Sequence, residues 1–127
     1  MYYSTGILKY GPKPRIVVFV DKDLAAYYRS FIPKSYRVQA QKYPPHITVV
    51  RSKYEEIKNF GNWKRHDGEK IEFSYSGIVN FDGTYFYLDV QSKRLGDIRD
   101  GLGMPRFRFD DNQCYHITIG NMKNGNH

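Results

Sequence analysis

The chain is poor in the residues that announce the commonest kinds of site. It has one cysteine, Cys114, so no intrachain disulfide can form, which fits a reducing cytoplasm. It has no HExxH, no CxxC and no tight Asp/Glu cluster beside His46 or His116, so the sequence offers these two no metal-ligand pattern. Gly101 and Gly103 are too sparse for a phosphate-cradling loop and sit where a helix is expected to end. The longest apolar run, IVVFV over 16–20, has five residues, far short of the roughly 20 that cross a bilayer. The N-terminus lacks the apolar stretch of a secretory signal, so the expectation is an intracellular protein with no membrane association. Acid is scarce in one half only. Residues 1–60 hold eleven Lys/Arg against four Asp/Glu, and residues 61–127 hold nine against nine. A basic half concentrates and steers anions.

What is present is aromatic and β-branched. Twelve Tyr and eight Phe accompany runs such as IVVFV and HITVV, which favour sheet. With 127 residues a single domain over 1–127 is expected.

The chain also echoes itself. PPHITVV occupies 44–50 and CYHITIG occupies 114–120, so His46 and His116 are 70 positions apart. The same shift lays the strand-like 16–20 on 86–90. Between strand and histidine each half carries a helix signal. Asp21 is placed to cap a helix through Leu24, Ala25, Tyr28 and Ile32, stopped by Pro33. Ser92 is placed to cap a helix over 93–102, with Leu95, Ile98 and Leu102 at helical spacing. The pseudo-repeat halves are therefore about 16–50 and 86–120. Between them, Ser52 and Glu55 resemble a capping box opening a short helix towards Phe60. Residues 71–81 read as a strand turning at Asp82-Gly83 into another, and 61–68, with Trp63 and His66, as a loop.

Strand alternation puts residues i and i+2 on one face. His46 then points with Thr48, and His116 with Thr118, while Ile47, Val49, Ile117 and Ile119 face a core. Cys114 would share the face of His116, as a small packing residue rather than a nucleophile; Tyr115 would face the core. Asp110 and Asp111 read as a turn. A single His-x-Thr on a strand is usually structural, but two at equivalent positions of a repeat are not what core packing selects. Two imidazoles facing each other suit phosphodiester chemistry. One takes a proton from an attacking hydroxyl and the other gives one to the leaving oxygen, while hydroxyls hold the non-bridging oxygens. The candidate catalytic residues are His46, Thr48, His116 and Thr118, with no metal and no cofactor. Tyr10 and Trp63 are candidates for stacking a nucleobase, and Lys13, Arg15 and Lys42 for neutralising phosphate. His66 and His127 receive no role.

The paired His46-Ile-Thr48 and His116-Ile-Thr118, each within a strand–helix–strand frame, resemble the 2H phosphoesterase superfamily, which includes LigT-like RNA 2′,3′-cyclic phosphodiesterases. More narrowly, residues 6–38 followed by PPHITVV are similar to the phage anti-CBASS nucleases. The resemblance implies an α+β, bilobal fold: two pseudo-symmetric strand–helix–strand lobes, with largely antiparallel sheets, around a central cleft. It also implies metal-independent cleavage of the 3′–5′ bonds of cyclic di- and trinucleotide messengers by 2′-hydroxyl attack. A viral protein of this kind would act in the host bacterial cytoplasm, on a small nucleotide substrate and without a stable protein partner. Two alternatives stand beside it: an enzyme of RNA processing acting on 2′,3′-cyclic phosphates or 2′–5′ bonds, and a nucleotide-binding module that only sequesters its ligand.

Overall fold

The computed structural model describes residues 1–11, 15–51, 55–107 and 114–122. Seven strands and two α-helices follow one another as β1 (Tyr2–Tyr10), β2 (Arg15–Phe19), α1 (Lys22–Arg29), β3 (His46–Arg51), β4 (Lys70–Tyr75), β5 (Asn80–Phe81), β6 (Tyr85–Gln91), α2 (Lys93–Gly101) and β7 (Tyr115–Asn121), with short 3₁₀ turns at Lys34–Tyr36 and Phe60–Asn62.

All strand pairings are antiparallel, in the order β4-β1-β2-β3-β7-β6-β5, and β4 also pairs with β6. That last pairing closes six strands into a barrel. Leu8, Val18, Ile47, Ile71, Leu88 and Ile117 are fully buried in its core, as the apolar phase of each strand requires. Closure removes the exposed strand edges that an open sheet would present.

The two helices pack against the strands of this barrel. Helix α1 reaches the end of β7, where Arg29 donates to the Ile119 carbonyl, and its Tyr28 meets Tyr75 at the end of β4. Asp21 caps it by accepting from the Asp23 amide at 2.8 Å. The helix stops at Arg29, and Ile32 is buried in the turn that follows. Helix α2 is capped by Ser92, whose hydroxyl accepts from the Leu95 amide, and it buries Leu95, Ile98 and Arg99. Arg99 donates to the Val49 carbonyl at 2.7 Å, to Pro105 at 2.6 Å and to Glu55 at 2.6 Å, tying α2 to the far end of β3.

The expected bilobal α+β architecture with a central cleft is therefore corrected. The protein is mostly β, and its two strand–helix–strand segments are arcs of a single closed barrel. The physical reason lies in how four strands pair. The two histidine strands pair with each other directly, Ile47 opposite Ile117, and β1 and β4 bridge the remaining gap. The N-terminal Tyr2–Tyr10 was not anticipated as a strand. The expected strand over 71–81 is divided, because residues 76–79 leave the sheet at Gly77, where the Tyr2 ring lies 2.7 Å from where a Cβ would be. The expected helix after Arg51 is absent over the described residues 55–59, with Ser52 itself outside the described residues. The Asp82-Gly83 turn is present: Gly83 has φ +103° and the Asp82 carboxylate accepts from the Thr84 amide at 2.9 Å. Among the described residues, no helix is long and apolar enough to cross a membrane.

Candidate functional site on the outer face of the barrel

In β3, Ile47 and Val49 are buried while His46 and Thr48 are half-buried; in β7, Tyr115, Ile117 and Ile119 are buried while His116 and Thr118 are half-buried. Strand alternation thus turns all four polar side chains outward. The antiparallel pair Ile47–Ile117 fixes how the strands meet. One residue to either side, the register sets His46 beside Thr118 and Thr48 beside His116. The histidines occupy one diagonal of this square and the threonines the other, and diagonal Cβ atoms on a sheet lie roughly 7 Å apart.

The outer strands complete the face. Phe19 of β2 pairs with His46 and Val17 with Thr48; Asp89 of β6 pairs with His116 and Tyr87 with Thr118. Both strand pairs carry a register shift one step further on, between Ile16 and Val17 and between Phe86 and Tyr87. These irregularities are also 70 positions apart. The repeat in the sequence is thus a pseudo-twofold axis in space, passing between Ile47 and Ile117.

The axis relates the two histidines but not their surroundings. His46 Nδ1 lies 2.9 Å from the Pro44 carbonyl. A carbonyl only accepts, so Nδ1 carries the hydrogen and Nε2 is the nitrogen open to a ligand. Burial pushes the His46 pKa below its ordinary value; the Pro44 bond opposes this, and Arg15 and Arg51 reinforce it. Beside His46 stands the apolar Phe19 ring, with centroids 6.4 Å apart. His116 instead has Asp89 as its neighbour, Nε2 to Oδ1 at 3.4 Å, and the Tyr87 ring at 4.8 Å. Asn80 donates to the other Asp89 oxygen at 3.4 Å. One ring sits half-buried in a positively biased setting and the other against a carboxylate.

The remaining candidates separate. Tyr10 pairs with the inward-facing Ile16 and meets Trp63 edge-on at 4.9 Å. Both rings pack against the core, and burial raises the Tyr10 pKa. They are not on the face that carries the histidines. Lys13 lies outside the described residues, as do Asp110, Asp111 and His127. Arg15 opens β2 and is exposed. Lys42 lines a pocket that also contains Thr118. His66 joins Glu69 and Arg94, remote in register from the quartet. Cys114 accepts a weak bond from Gln91 at 3.9 Å. Among the described residues, no three of His, Cys, Asp and Glu converge as a metal site would need.

Asp89 and Tyr87 were missed from sequence. Their signal was the alternation within FYLDV over 86–90, which places an acid at the position that Phe19 holds in the first half. Comparison with family models, curated proteins and solved structures returns no match.

Proposed function

We propose that the protein is a metal-independent phosphodiesterase, and that His46 and His116 act on one phosphodiester as base and acid. The supporting observation is the pairing of Ile47 with Ile117, because it gathers two imidazoles and two hydroxyls on one face at a spacing that a phosphate group can bridge. The unlike surroundings of the rings assign the roles. His46, favoured as the neutral ring by burial and with Nε2 open, takes the proton from an attacking ribose 2′-hydroxyl. The oxygen so freed attacks phosphorus and forms the new P–O2′ bond. The P–O5′ bond breaks, and His116, whose imidazolium has the Asp89 carboxylate as counter-ion, gives its proton to the departing 5′-oxygen. Thr48 and Thr118 donate hydrogen bonds to the non-bridging oxygens, where charge builds up. The product is a 2′,3′-cyclic phosphate and a free 5′-hydroxyl.

The substrate class follows the resemblance in the two His-x-Thr segments: cyclic di- and trinucleotide messengers of bacterial antiviral signalling. Incubation in EDTA with cyclic dinucleotides and, separately, with RNA ending in a 2′,3′-cyclic phosphate tests this. Cleavage of the cyclic dinucleotide is the expected result. Turnover of the RNA end alone would move the protein to RNA processing. Tight retention of either without product would make it a sequestering module.

A further inference from the structure

Beside the quartet lies a pocket of about 310 Å³ whose lining includes Lys22, Arg29, Gln41, Lys42, Tyr43 and Thr118. Three cations line it and no carboxylate does. Another pocket is the reverse, with Asp21 and Asp23 among tyrosines and no cation. The loop forming one wall is held at both ends. Gln39 and Asn121 exchange backbone hydrogen bonds of 3.1 and 3.0 Å, and the Val20 amide donates to the Pro45 carbonyl at 3.1 Å. Arg29 is fixed from below by its 3.0 Å bond to the Ile119 carbonyl. Two elements of the pocket belong to the quartet as well: Thr118 itself, and Pro44, whose carbonyl orients His46.

We infer that this pocket is an anion subsite for a second phosphate of the substrate, one nucleotide removed from the scissile group. The inference rests on the proposed phosphodiesterase reading and adds where a second phosphate of that substrate is held. Lys22 and Lys42 neutralise the second phosphate, and Arg29 presents a guanidinium suited to two-point contact with its oxygens. Tyr43, 67% exposed at the rim, offers a ring face to the attached base. Because the loop is anchored before ligand arrives, little ordering cost falls on binding.

Calorimetric titration with adenosine 3′-monophosphate and adenosine 3′,5′-bisphosphate tests the subsite, with proton NMR of the imidazole C2–H signals followed in parallel. The wild-type protein is expected to bind the bisphosphate at least tenfold more tightly, an advantage that shrinks as salt is raised. Lys22→Gln/Lys42→Gln should erase the difference between the two ligands. Equal affinity for both ligands in the wild type, or an advantage that survives in the double variant, would overturn the subsite. Imidazole signals that respond to neither ligand would instead overturn the underlying catalytic reading.

Discussion

Ile47 and Ile117, seventy positions apart in the chain, are partners across the β3–β7 pair. When a residue pairs antiparallel with its own repeat equivalent, a twofold axis must pass between the two. Every residue of one half then has its counterpart at a fixed place across that axis, and His46 and His116 become diagonal neighbours.

Removal of either imidazole should stop turnover without unfolding the protein. Each proton transfer contributes about 10²–10⁴-fold, so His46→Ala and His116→Ala are each expected to lose activity in that range, and the double variant little more. Both side chains are half-buried and outward-facing, so circular dichroism should match the wild type. Near-native kcat in either single variant would remove the basis of the mechanism.

In the proposed mechanism Asp89 acts only through His116, as a positioning residue. Asp89→Asn should lower kcat by roughly tenfold while KM stays near the wild-type value, because the contact serves the proton donor rather than binding. Asp89→Glu should recover part of the loss. A change confined to KM would reassign Asp89 to substrate contact.

The depressed pKa of His46 has two consequences. The rising arm of the rate profile should have its midpoint below the usual histidine value of about 6.5, because the base is active once neutral. Stability follows the same sign. Between the folded value and about 6.5 the unfolded ring binds a proton that the folded one does not, so the contribution of His46 is complete above 6.5 and is lost as pH falls through the folded value. Denaturant melts of wild type and His46→Asn from pH 5 to 8 should show the wild type losing relative stability on the acid side. A constant difference across that range would contradict the assignment.

Arg99 is 1% exposed and pairs with the largely buried Glu55 at 2.6 Å, while also serving the carbonyls of Val49 and Pro105. Arg99→Ala takes from Glu55 its buried ion-pair partner while leaving it the Arg51 amide, and removes the guanidinium donor from two carbonyls; removal of one partner of a buried pair costs about 3–5 kcal/mol. Urea denaturation should register that loss. A change under about 1 kcal/mol, the size typical of an exposed pair, would show that the network holds nothing together.

Gly6 leaves no room for a side chain. A Cβ there would lie 2.5 Å from both the Phe19 carbonyl oxygen and Val18 Cγ1. Gly6→Ala must push β1 away from β2, at a cost of about 1–3 kcal/mol, and it disturbs the strand that places Phe19 beside His46. Reduced stability together with a shifted His46 C2–H resonance is the expected pair of results.

Some of this was legible before any coordinates. The helix starts at Asp21 and Ser92 could be read because capping is local: a side chain meets an amide two or three residues away. The outward phase of His46, Thr48, His116 and Thr118 could be read because alternation is a property of one extended chain. The strand Tyr2–Tyr10 was harder. Its inward positions include Ser4 and Gly6 as well as Leu8, so it lacks a clean apolar phase. Tyr10 and Trp63 looked available for a base, yet they pack on each other and on the core, and a ring's partner is set by whatever the fold brings to it.

The sequence by itself determined the two halves, their helix caps and the face on which each His-x-Thr pair projects, since these depend on contacts within a few residues. Tertiary structure alone decided that β3 pairs with β7 and that β1 and β4 close a barrel in place of two lobes. Strand partners are chosen by the summed burial and hydrogen bonding of the whole sheet, and no short segment carries that sum.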